Sequence, residues 1–169
     1  VDNNNVSGGT TTQTAAATWT VDNFTVKNAA GFVIPSGATL SVATAIPNTT
    51  TNASLTNSGT LTLPNTLTLT NLAFYQNGTI SNAATLNLTL GTGATMEVQN
   101  TNPTTALSLA SLTIQSGGNL THIANASPKL LNLSISGNLD VQTGGTLALT
   151  AKGFTGPSSG DNVAGSGLG

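Results

Sequence analysis

Gly59-Thr-Leu-Thr-Leu-Pro-Asn-Thr-Leu-Thr-Leu-Thr70 alternates apolar and hydroxylated residues twice over, with a Pro-Asn break between the two halves. Successive side chains of an extended chain point to opposite faces, so each half predicts a strand with one buried face. The run opens on a glycine, and that opening keeps returning. It stands at Gly37-Ala-Thr-Leu40, Gly59-Thr-Leu61, Gly78-Thr-Ile80, Gly93-Ala-Thr-Met96, Gly117-Gly-Asn-Leu120, Gly137-Asn-Leu139 and Gly144-Gly-Thr-Leu147. The apolar member recurs at 40, 61, 80, 96, 120 and 139, in steps of 21, 19, 16, 24 and 19 residues. A chain that turns and restarts a strand at such intervals predicts a β-solenoid.

The same period of two continues outward from this stretch. Leu86, Leu88 and Leu90 alternate with Asn87 and Thr89, and Leu131, Leu133 and Ile135 with Asn132 and Ser134. No segment shows apolar 3,4-spacing over a helical window, so no helix is predicted. Asn57-Ser-Gly59, Gln76-Asn-Gly78, Gln115-Ser-Gly-Gly118 and Gln142-Thr-Gly-Gly145 supply turn residues tolerant of positive φ. Polar stretches 47–53 and 100–106 predict loops.

The expected architecture is all-β: a right-handed parallel β-helix of about six irregular rungs. Residues 1–30 form an N-terminal arm and cap, 31–155 the solenoid, and 156–169 a Gly/Ser-rich tail or linker. Trp19, Phe24 and Phe32 place three of the six aromatics near the start, which suits a cap over an open strand edge. Residues 1–18 read equally as an arm that pairs with a neighbouring molecule. The alternative fold is a β-sandwich, which explains the alternation but expects turns about every 8–12 residues.

Only 5% of residues are charged, against roughly 25% in an ordinary soluble domain. Solubility must come from 47 Ser and Thr and 20 Asn. The net charge is −2, Arg is absent, and Lys27, Lys129 and Lys152 lie far apart. That argues against binding nucleic acid, which needs clustered cations, and no apolar run is long enough to insert in a membrane. Zero cysteine excludes disulfides and thiolate metal sites. A polar, charge-poor, cysteine-free composition sets the expected location as extracellular or cell surface. Asn-X-Ser/Thr triplets make Asn5, Asn23, Asn48, Asn52, Asn77, Asn87, Asn119, Asn125 and Asn132 candidate glycosylation acceptors.

Leu112-Thr-Ile-Gln-Ser-Gly-Gly-Asn-Leu-Thr-His122 and Lys129-Leu-Leu-Asn-Leu-Ser-Ile-Ser-Gly-Asn-Leu-Asp-Val-Gln-Thr-Gly-Gly-Thr-Leu-Ala-Leu149 carry a resemblance. Over roughly residues 107–160 the chain resembles parallel β-helix segments of large secreted bacterial surface proteins, of the adhesin and autotransporter-passenger type. That resemblance implies a scaffold on or outside the cell.

No catalytic constellation emerges, and the chain is read as a non-enzyme. The acids Asp2, Asp22, Glu97, Asp140 and Asp161 are dispersed, whereas glycoside hydrolysis needs two carboxylates across a cleft. His122, the sole histidine, reads as a partly exposed or hydrogen-bonded strand-end residue rather than a partner of Asp140, and no Gly-X-Ser-X-Gly elbow occurs. Gly91-Thr-Gly93-Ala-Thr-Met96 lacks the lysine of a phosphate loop and predicts a turn. No cofactor or metal is expected. Thr-X-Thr runs invite an ice-binding reading, but that needs the motif at one position in consecutive turns, and the sequence concentrates it at 60–70. Trp19 and Tyr75 are the candidate contact residues, since Tyr75 follows Phe74 and one of the two must point outward.

The expected function is structural: a subunit or stalk segment of a surface fibre, filament or adhesin, acting through self-association or surface contact. The alternatives are a carbohydrate-binding β-helix module and a β-sandwich filament subunit joined by strand donation.

Overall fold

The computed structural model describes residues 1–2, 4, 9–48, 50, 52–99, 106–123, 131–150 and 152. The tail at 156–169, Asn5, Asn125, Lys129 and Asp161 lie outside the described residues. Among those described, every strand pairing is parallel, and the chain winds as a β-solenoid of about five turns. The antiparallel sandwich therefore does not form.

One face is a seven-stranded sheet of β1 (Thr10–Thr12), β3 (Gly31–Ile34), β5 (Ala53–Asn57), β8 (Leu72–Gln76), β11 (Thr95–Val98), β14 (Asn119–His122) and β17 (Thr146–Ala148). A second face stacks β2 (Thr18–Asn23), β4 (Thr39–Ala45), β6 (Thr60–Thr62) and β9 (Thr79–Ile80). A third stacks β7 (Thr66–Leu69), β10 (Asn87–Leu90), β13 (Ser111–Ile114) and β16 (Leu139–Val141). Strands β12 (Leu107–Leu109) and β15 (Leu133–Ile135) form a two-stranded sheet between the first and third faces in chain order. The single helical feature described is a 3-10 turn at Ala83–Thr85.

Parallel in-register pairing puts like positions above one another, so the period of two in the sequence becomes columns in space. Inside the first face run Phe32, Leu55, Phe74, Met96 and Leu120, all buried. The second face contributes Leu40, Leu61 and Ile80, and the third Leu67, Leu88 and Leu112 beside Leu69, Leu90 and Ile114. Burying each such side chain stabilises by roughly 1.5–3 kcal/mol. Outside the second face, Thr18, Thr39, Thr60 and Thr79 form one column and Thr20, Ser41 and Thr62 the next. Ser81 extends the second column, its hydroxyl 2.7 Å from that of Thr62.

The seven instances of the recurring glycine phrase are thus not one position repeated. Leu40, Leu61 and Ile80 share a column on the second face, Met96, Leu120 and Leu147 share one on the first, and Leu139 stands on the third. The phrase marks a corner leading into a strand, and each turn has more than one corner. Counting corners as rungs overestimates the number of turns and explains the anomalous step of 16 between Ile80 and Met96.

The corner glycines also divide by cause. Gly117 has φ +75°, the left-handed conformation expected of a turn glycine. Gly78 is not among the positive-φ residues. It is small because a Cβ there would lie 2.1 Å from the Gly59 carbonyl oxygen of the turn beneath.

Phe74→Ala should lower the unfolding free energy by about 3–5 kcal/mol, while Thr68→Ala on the outward side of β7 should change it by under about 0.5 kcal/mol. Urea titration followed by circular dichroism measures both. Equal effects would mean that Phe74 is not a core residue.

Candidate functional surfaces

At the N-terminal end the core columns begin with aromatic rings. Trp19 pairs in register with Leu40, and with no turn above it among the described residues it remains 39% exposed. Its ring lies 5.8 Å from that of Phe32, which Phe24 meets edge-on at 4.8 Å. The first residues are tied to this end. The Val1 amino group donates to the Thr25 carbonyl at 2.7 Å, and the Asp2 carboxylate accepts from the Asn4 amide at 2.9 Å and from Asn28 Nδ2 at 2.7 Å. Lys27 Nζ stands 3.3 Å from the same carboxylate. The Asn4 amide chiefly, then Asn28 and Lys27, hold the Asp2 carboxyl below its usual pKa. This tie survives mild acid and is lost only as pH falls below the ordinary carboxyl range. Strand β1 pairs β3 along one edge and is the end strand of its sheet, so residues 10–12 are part of the stack itself rather than a separate arm.

The C-terminal end differs. Leu139 and Val141 extend the columns of Leu112 and Ile114, and Leu147 extends that of Leu120. They are 50%, 45% and 39% exposed because no described turn covers them. Leu149 is exposed beside them. Among the described residues these are core positions with no rung stacked on them.

Midway along the rod, outside the first face, Tyr75 points outward while Phe74 is buried. Small residues stack beside it in the column Gly31, Ser54, Ala73 and Thr95. The result is an open groove of about 440 Å³ bordered by Tyr75, Asn52, Asn71, Ser54 and Thr95. Thr56 and Glu97 flank Tyr75 in its own column. Trp19 and Tyr75 are not brought together: one closes an end on the second face, the other borders a groove on the first.

Nor are His122 and Asp140 brought together. His122 faces inward at the end of β14, above Val98, whereas Asp140 is outward on the third face, above Thr113. Glu97 accepts from Gln99 Nε2 at 2.6 Å and Asp140 from Gln142 Nε2 at 2.9 Å. Among the described residues no group of His and acids could hold a metal ion. Of the Asn-X-Ser/Thr asparagines, Asn23, Asn52, Asn77 and Asn87 are exposed, and Asn119 and Asn132 half-buried. Asn48 is buried, with its Nδ2 donating to the Asn71 carbonyl at 2.8 Å, so its amide has no open path for a glycan.

The sequence reading missed the buried amides. In the inward column of the first face, Asn57 and Gln76 lie between Ile34 and Val98. Asn57 Nδ2 donates to Gln76 Oε1 at 3.0 Å and to the Thr79 carbonyl at 3.1 Å, and Gln76 Nε2 donates to the Gly78 carbonyl at 2.8 Å. Gln13 does similar work at the same corner two turns before Asn57, donating to the carbonyls of Ala17 and Thr39. The available signal was an amide two residues before a corner glycine, at Asn57-Ser-Gly59 and Gln76-Asn-Gly78. Read as turn chemistry, it is a device for satisfying corner carbonyls from inside.

Asn57→Ala should therefore cost about 1–3 kcal/mol, because Gln76 Oε1 and the Thr79 carbonyl lose a buried donor. Thermal unfolding measures it, and an unchanged midpoint would show that water replaces the amide.

No family model matches the chain, and no curated protein and no solved structure matches it.

Proposed function

We propose that this chain is a structural module of a surface fibre, filament or adhesin stalk outside the cell, acting by continuing its own stack. The observation that carries this reading is the last described rung, where Leu139, Val141 and Leu147 stand exposed in the columns of the core. A contiguous apolar patch on a chain with 5% charged residues favours burial against another protein surface. A further rung is the surface that fits it best, because it would meet both the apolar columns and the unpaired strand edges. Load along such a rod is spread over parallel hydrogen bonds on several faces at each level.

A second reading rests on the groove beside Tyr75. An outward phenol ring bordered by Asn52, Asn71, Ser54 and Thr95 offers a sugar one apolar platform and several amide and hydroxyl partners. In that reading the rod is a carbohydrate-binding module. Among the described residues Asn23, Asn52, Asn77 and Asn87 are the exposed acceptors where the source glycosylates asparagine.

Solution mass measured over a range of concentrations, with electron microscopy alongside, distinguishes these readings. The stacking module predicts rods that lengthen with concentration, and Leu147→Asp, which puts a charge on the open end, should shift the population to monomers. Monomers at all concentrations, together with Tyr75-dependent retention on a glycan array, would displace stacking in favour of the binding module.

A further inference from the structure

Two outward columns on the second face carry a regularity that the stacking reading does not use. Each of four successive levels presents a hydroxyl, an inward side chain and a second hydroxyl, from Thr18-Trp-Thr20 at the first level to Thr79-Ile-Ser81 at the fourth. In sequence the motif is dense only at 60–70, where Thr66 and Thr68 belong to a different face. In register it fills every level of the second. We infer that this face is a water-ordering surface that binds ice.

The spacing supports the assignment. Hydrogen-bonded levels repeat at about 4.8 Å, and alternate residues along a strand at about 6.6 Å. Tetrahedral water with oxygens about 2.7–2.8 Å apart has second neighbours at about 4.5 Å. A column of hydroxyls one level apart thus comes close to a repeat of the water lattice itself. Threonine is suited to the role because its branched Cβ fixes χ1, so neighbouring hydroxyls and methyls are held at repeating positions. Among the described residues, no protein group hydrogen-bonds the hydroxyls of Thr18, Thr39, Thr60 or Thr79, which leaves that column free for solvent. In the other column Thr62 and Ser81 bond each other, so its lower half is partly self-satisfied.

The third face shows what the second avoids. There the outward positions include Asn87, which accepts from Ser111 Oγ at 2.7 Å, and the charged Asp140. Amides and carboxylates hold water in their own geometry and break the repeat. The eight positions on the second face include neither, and the one acid of β2, Asp22, lies beyond Thr20 at the irregularity of that strand. A crystalline polysaccharide would be the rival planar ligand, but it calls for stacked aromatic platforms, and no aromatic faces outward in these columns.

The test is recrystallisation of polycrystalline ice in the presence of the full chain, with the shape of a single growing crystal followed in parallel. The wild-type protein should suppress grain growth and facet the crystal. Thr60→Lys, at the centre of the array, should abolish both, whereas Thr68→Lys on the third face should leave both intact. Circular dichroism confirms that each variant folds, and Thr60→Tyr serves where the lysine variant does not. Wild-type protein without effect on ice overturns the inference, as does a Thr60 variant that folds and keeps full activity. Equal loss in the Thr68 variant would overturn it too. Thr60-dependent pelleting with microcrystalline cellulose, without any effect on ice, would reassign the face to a glycan.

Discussion

The structure depends on one constraint: parallel strands stacked in register, one turn above the last. The paired strands bond the turns above and below, at about 4.8 Å, so a strand side chain meets its own counterpart before it meets anything else. Phe32, Leu55, Phe74, Met96 and Leu120 form a core because they share a column, although they lie 19 to 24 residues apart. Thr18, Thr39, Thr60 and Thr79 form an outward array for the same reason. Core, surface and open end are three views of one register. The exposed Leu139, Val141 and Leu147 are what the rule produces where the described stack stops.

That rule decides what was legible in the sequence. Alternation such as Leu67-Thr-Leu69 and Leu88-Thr-Leu90 fixes which residues face inward, because the period of a strand is local. The parallel all-β architecture followed from the long interval between strand restarts. The face to which each strand belongs did not follow, since a corner glycine before an apolar residue looks the same at every corner. Leu40 and Met96 follow the same phrase and stand on different sheets. The Thr-X-Thr motif was undercounted for that reason: Thr18-Trp-Thr20 and Thr39-Leu-Ser41 resemble nothing special until β2 and β4 are laid in register. Asn57 and Gln76 were misread because polar residues beside glycine ordinarily belong to exposed turns, and only the closed inside of a corner turns their amides inward.

Stacking also bears on the composition. Two like charges one level apart, at about 4.8 Å, repel by roughly 1 kcal/mol even at the dielectric of bulk water and by several at an effective value near 20. A column of like charges repeats that penalty at every level, whereas a column of threonines repeats a favourable contact worth about 0.2–1 kcal/mol by analogy with cross-strand pairs. The charged strand residues follow this logic. Glu97 lies between Tyr75 and Thr121, Asp140 stacks on Thr113, and Asp22 sits where β2 slips out of register. Low charge and high threonine content are therefore consequences of the fold, whichever compartment holds it. Evidence for a surface role has to come from features that stacking does not dictate. One qualifies: a face of hydroxyls kept free of amides and charges beside a third face that is not.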